Sequence, residues 1–546
     1  MKDSIMDISE FIIKNGLIIN GKNEPPFPGA LYIRDGRIER VEHRPDPCPE
    51  KSSIPVIDAN GAFVTPGFID IHRHGDRRAL RGIHGGDGEL LNRQGITTVV
   101  NGNCGLSVMP ASGKHKAAIR LFLEPVTGMP EKGDETDADL KSYFAALSET
   151  KRTVNTGMLI GNGTIRACAA GYHAGELTHE EETSIRNLLE DALSEGALGV
   201  SLGLGYAPEF EYDAAGLIRV LEPLRGTGIP IVTHIRSEGD GSYESLEEVI
   251  AVAEALGIPL HVSHMKCIGK RNWHSGPKRA LELFHRKNSE GMRIDFDLYP
   301  YRAGSTQLFH VIPPRFQSGG TESFIAGLKS RAFREALTRS LKTPSHEFEN
   351  IVELVGFENI SAGTMHSPKY KRYSGFAMDR IARELNRDPY DTLYDLLASE
   401  NCDVSMLDTI ACEDDLCTFY KDPLSSVISD AIYPEGGRLH PRVYAAFPEF
   451  LIHYIREKKL MPVETAIMKM TSQPAGVLGI DRGVIEEGAA ADLCVFDLNE
   501  LEAPATYEDP EQFCRGFRYV FTGGRIVVDH DVWRPDAAGA GAVLKR

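Results

Sequence analysis

Apolar and polar residues alternate around tight-turn dipeptides at both ends of the chain. Near the start, FIIKNGLIING (11–21) and ALYIRDGRIERV (30–41) carry Asn15-Gly16 and Asp35-Gly36 between β-rich runs. Near the end, ADLCVFDL (491–498) and RYVFTGGRIVVD (518–529) repeat the period-two texture of half-buried strands around Gly-rich turns. This pattern predicts one small β-sandwich domain formed by both chain termini, residues 1–64 and 484–546.

Between them the pattern changes to short apolar runs separated by helical stretches, which is how βαβ units read. Eight runs qualify as strands: GFIDIH (67–72), ITTVVNGN (96–103), TGMLIG (156–161), ALGVSLG (197–203), IPIVTH (229–234), IPLHVSH (258–264), RIDFDLY (293–299) and SSVISD (425–430). Their spacing predicts an α/β fold, a (β/α)8 TIM-type barrel over 65–483. The run YESLEEVIAVAEALG (243–257) has apolar residues at helical spacing and stops at Gly257, as a helix between two such strands should. The stretch from about 307 to 424 is too long for one barrel step, which predicts an inserted helical subdomain over the barrel mouth, in the place where lids sit.

Bulk composition narrows the function classes. Hydrophobic residues make up 42% and charged residues 25% of 546, an ordinary globular balance. A formal net charge of −18, with no basic stripe, argues against a nucleic-acid partner. The first residues, MKDSIMDISEFIIKNG, are acidic where a signal peptide is basic, and nowhere do about 18 apolar residues run together, so no membrane association and a cytoplasmic location are expected. Nine cysteines without CxxC spacing do not form a disulfide framework, which leaves room for one as a ligand.

Active sites of such barrels lie at the C-terminal strand ends. Strand 1 ends in His72-Arg73-His74, strand 2 in Cys104, strand 5 in His234, strand 6 in His264 and strand 8 in Asp430. An HxH pair alone is weak evidence in a chain with 18 histidines. Here the pair shares one strand face, and four other strands deliver a metal-ligating residue at the same level. Imidazole and thiolate together favour zinc over magnesium or calcium. Asp430 beside a zinc-bound water suits a general base that later acts as general acid, although a carboxylate there can also be a plain ligand.

These residues, in this order, resemble the amidohydrolase superfamily. PGFIDIHRHGD (66–76), GITTVVNGNCG (95–105), THIRSEGDG (233–241), SHMKCIGKRNW (263–273), DLYPYRAGST (297–306) and HPRVYAAFP (440–448) resemble the motifs of its D-aminoacylases, the N-acyl-D-amino-acid deacylases. The resemblance implies zinc-dependent hydrolysis of the amide bond of N-acyl-D-amino acids. It implies a tight zinc on Cys104, His234 and His264 and a weaker second site at His72 and His74. It also implies a substrate carboxylate held by Arg442, Lys266, Tyr299 and Ser305. A carboxylated strand 4 lysine, which bridges two metals in other amidohydrolases, is excluded because no lysine occurs between Lys151 and Lys266; Cys104 is the substitute.

Two places depart from the family pattern: Arg302, which could favour an acidic substrate side chain or face solvent, and GLGYAPEFEYD (203–213), which could reshape the pocket. The alternative readings are a cyclic-amide hydrolase of the dihydropyrimidinase or hydantoinase type, a dipeptidase, or a non-catalytic scaffold. The expected partner is a small N-acyl amino acid, and a homo-oligomer is compatible with such a fold.

Overall fold

Short runs of apolar residues form parallel strands when both faces are covered, because such strands need no polar alternation. In the computed structural model, which describes residues 9–43, 54–130, 136–173, 175–434, 436 and 438–546, each of the eight predicted runs contains such a strand. They are β1 Phe68–Asp70, β2 Ile96–Asn101, β3 Asn155–Met158 continued by Ile160–Gly161, β4 Val200–Gly203, β5 Ile231–His234, β6 Leu260–Val262, β7 Ile294–Leu298 and β8 Ser425–Val427. Neighbours in chain order pair in parallel register from β1 to β3 and from the end of β3 to β8.

The first and last strands also meet. Arg73 and Ala431 form a parallel bridge, the Asp430 amide donates to the His72 carbonyl at 2.9 Å, and the buried Asp70 carboxylate accepts from the Ser429 amide and hydroxyl at 3.1 and 2.5 Å. The helix expected at 243–257 spans Ser242–Leu256 and stops at Gly257, whose φ of 65° is the left-handed conformation that ends helices.

The termini build one nine-stranded sheet, with five strands between Glu10 and Pro66 and four between Leu493 and Trp533. It is hydrogen-bonded continuously, in place of the two separate sheets of the expected sandwich. The reason lies in the strand Glu10–Ile18, whose register shifts between Ile13 and Gly16. Its first half pairs with Val56–Asp58 and its second with Phe63–Pro66. Gly16 permits this, since a Cβ there would meet Val64 Cγ2 at 2.5 Å. Phe11, Ile18, Leu31, Val64, Leu493 and Phe521 fill the core that the sheet covers.

After β7 the chain enters a unit with its own core, centred on Leu308, Phe309, Leu337, Tyr394 and Met406. Besides helices it holds an antiparallel sheet in which Ser405–Thr409 lies between Ala303–Gln307 and Ile360–Ala362. Among the described residues no helix is long and apolar enough to cross a membrane.

Terminal sheet and parallel strands meet at Phe68, whose ring centroid lies 5.9 Å from Phe447 and 6.1 Å from both Phe496 and Phe517. Phe68→Ala should therefore destabilise the protein by about 3–5 kcal/mol, read from denaturant unfolding. A change below about 1 kcal/mol would mean that this aromatic junction does not hold the two layers together.

Candidate metal centre

The C-terminal ends of the parallel strands converge on one buried cluster. Cys104 Sγ lies 3.3 Å from His72 Nε2 and 3.4 Å from His264 Nε2, so the thiol sits between the first and sixth strands. His234 Nδ1 is 3.0 Å from His264 Nε2, and Asp430 Oδ1 is 3.5 Å from Nε2 of both His72 and His74. The five predicted ligands and the predicted catalytic Asp430 are thus brought together, in overlapping groups of His72–Cys104–His264, His72–His74–Asp430 and His234–Glu238–His264, each spanning no more than 4.8 Å.

The donor set fits a transition metal. Burial holds the imidazoles of His74, His234 and His264 below their ordinary range, so they stay neutral and offer lone pairs. Burial and then Asp430 push the Cys104 thiol up, so a thiolate at this depth calls for an adjacent cation. Neutral nitrogens and a sulfur facing one another at 3.0–3.4 Å are what a soft or borderline cation accepts.

The backbone aims these groups at a cost. Cys104, His264 and Asp430 have φ of 54°, 36° and 50°, left-handed conformations that cost a non-glycine residue about 1–3 kcal/mol each. Neighbours enforce them. The Cys104 carbonyl lies 2.0 Å from where a Cβ on Gly203 would be, so the end of β4 passes it with room for glycine alone. The His264 amide donates to Asp297.

Asp297 was not singled out from the sequence, yet it ties together two donor strands, the first and the sixth. Fully buried at the end of β7, its Oδ2 lies 3.2 Å from His72 Nδ1 and 2.8 Å from His261 Nε2. Burial works to raise its carboxyl, but the His72 and His261 imidazoles outweigh that and hold it below the usual carboxylate range. A signal existed: in RIDFDLY, carboxylates at 295 and 297 interrupt an otherwise apolar strand.

Glu238 was also missed. It binds Lys266 Nζ through both oxygens at 2.8 Å and approaches His264 Nδ1 at 2.9 Å.

The four residues expected at a substrate carboxylate all reach the cluster, though two already have partners. Lys266 is paired with Glu238, and burial opposes its charge while Glu238 more than restores it. Arg442 is fully buried, 2.9 Å from Asp430 Oδ2 and 2.8 Å from the Ser305 carbonyl, with its guanidinium 4.6 Å from the centre of the Tyr299 ring. Tyr299 and Ser305 line the cavity above the donors.

The two departures resolve differently. Arg302 is exposed and lines a separate surface depression. In the loop after β4, Tyr206 enters the cavity, with its ring 4.7 Å from His234 and 4.6 Å from His310.

Strand-end histidines, a cysteine and an aspartate, buried and converging beneath a cavity, define a metal-ligating α/β protein. The chain belongs to the amidohydrolase family, which it matches over residues 55–305 and 437–528. An N-acyl-D-aspartate deacylase of Alcaligenes xylosoxydans xylosoxydans is 31% identical over 98% of this chain and 95% of its own. Among solved structures, a D-aminoacylase with a binuclear metal center superposes with a TM-score of 0.79 at 29% identity, covering 98% of this chain and 99% of that one. An N-acyl-D-glutamate deacylase from Bordetella bronchiseptica, complexed with zinc and a phosphonate mimic of the tetrahedral intermediate, superposes with a TM-score of 0.78 at 29% identity over 99% and 100%.

Asp297→Asn, which keeps the shape but removes the charge behind His72 and His261, should weaken metal affinity about 10–100-fold in chelator competition. Unchanged affinity would mean that Asp297 serves packing alone.

Proposed function

We propose that this protein is a zinc-dependent hydrolase that cleaves the amide bond of N-acyl-D-amino acids, giving a carboxylate and a free D-amino acid. The observation that carries the reading is the setting of Asp430. One oxygen faces Nε2 of both His72 and His74 at 3.5 Å, and the other faces Arg442 at 2.9 Å. The substrate class and its D configuration rest on the activities of the relatives. The reading includes a (β/α)8 barrel closed through β1 and β8, with residues 65–483 as the catalytic unit, 307–424 inserted into it, and 1–64 with 484–546 as the β-rich unit.

Cys104, His234 and His264 would hold the tight zinc, with His72 and His74 at a second position. Bound there, zinc would supply Lewis-acid polarisation of the scissile carbonyl and would lower the pKa of the attacking water. Burial opposes the charge on Asp430, but Arg442 and His74 overcome this and hold its carboxyl well below the usual range, so it rests as an ionised base. Asp430 takes a proton as the water oxygen bonds to the carbonyl carbon, and returns one to the nitrogen as the C–N bond breaks. Arg442, Lys266, Tyr299 and Ser305 orient the α-carboxylate so that the amide meets Asp430 in a productive pose.

The test is amine release from paired N-acetyl-D- and N-acetyl-L-amino acids, with dihydrouracil and a hydantoin alongside. Turnover confined to D-isomers is expected. Turnover of the cyclic amides alone would point to the hydantoinase reading, and turnover of nothing to a scaffold. In the same assay Asp430→Asn should keep its zinc and lose about 10²–10⁴-fold in kcat. Ordinary turnover in that variant would remove Asp430 from the chemistry.

A further inference from the structure

The inserted unit brings acid to the cavity that the proposed reaction does not use. Glu349 and Asp408 line the same cavity as His234, His264 and Tyr299, and they are only 5% and 3% exposed. Two acids in that cavity each have a close cationic partner: Glu238 has Lys266 at 2.8 Å and Asp430 has Arg442 at 2.9 Å. Glu349 has weaker company. One oxygen accepts the Glu238 amide at 2.8 Å, and the other lies 3.9 Å from His310 Nε2.

Asp408 has less still. Among the described residues no hydrogen bond or ion pair engages its carboxylate. It stands opposite Gly304 in the inserted sheet, where a methyl group on Gly304 would meet Asp408 Oδ1 at 2.8 Å and the Tyr299 hydroxyl at 3.3 Å. The unpartnered acid therefore adjoins a residue of the carboxylate-binding wall. Burial, then Glu349, push its carboxyl up to about 7, against the more distant pull of Lys266, His310 and Arg442, none of which contacts it.

A group that satisfies such acids must be cationic and must reach them from the reacting centre. The apolar side chains of Ile268, Ile351, Met406 and Ile410 line the same cavity. Aliphatic wall and acid together match an alkyl stem that ends in a charged nitrogen. An acidic side chain would add a further negative charge next to Glu349 and Asp408 and would meet repulsion.

We infer that Asp408 and Glu349 form the side-chain subsite, and that the substrates are N-acyl-D-amino acids with a basic side chain, an amine or a guanidinium. The inference rests on the deacylase reading above. It makes the inserted unit the source of specificity, while the strand ends supply the chemistry.

The test compares kcat/KM for N-acetyl-D-lysine and N-acetyl-D-arginine with N-acetyl-D-norleucine, which has an uncharged aliphatic chain, and with N-acetyl-D-glutamate. Wild type should favour lysine over norleucine by at least about tenfold and use glutamate least. In Asp408→Asn the lysine-to-norleucine ratio should fall by at least about tenfold, and Glu349→Gln, measured independently, should lower it in the same direction. Norleucine or glutamate used as well as lysine, or ratios unmoved in both variants, would overturn the subsite while leaving the deacylase intact. Turnover of none of the D-substrates would overturn both.

Discussion

A carboxylate buried among imidazoles is the interaction on which the site depends. Asp297 touches His72 on the first strand's extension, His261 within the sixth strand and the amide of His264 just beyond it. Ionised and shielded from water, it can exist only with such donors around it. Those donors are the metal-ligand strands themselves, so the charge that needs them also fixes their spacing. Contacts also accompany the left-handed turns: the Cys104 carbonyl packs against Gly203, the His264 amide donates to Asp297 and the Asp430 amide donates to the His72 carbonyl.

The parallel strands and their order were legible because each was a short apolar run closed by a polar residue. His72, His74, Cys104, His234, His264 and Asp430 were legible for the same reason, since strand ends can be counted from sequence. Asp297 and Glu238 were harder to see. A carboxylate that supports a ligand has no spacing rule of its own, and its role appears only once the strands it bridges are side by side.

The terminal sheet gave a different difficulty. Alternation identified its strands, but a bend at Gly16 that lets one strand pair with two others depends on a close approach to Val64, which no local pattern encodes. Glu349 and Asp408 were invisible for a third reason: they reach the cavity from a unit with a separate core, and long-range docking of that kind leaves no periodic trace. Residues of the same unit line the cavity above the donors, where burial strengthens local electrostatics.

The most direct test of the account is a zinc titration of metal-free protein during hydrolysis of an N-acetyl-D-amino acid that the intact enzyme uses. If the strand-end donors form the reactive centre, activity is absent without metal and rises in proportion to zinc up to the first equivalent. Full activity in protein shown to be free of metal, or zinc bound at these residues with no gain in turnover, would contradict the central claim.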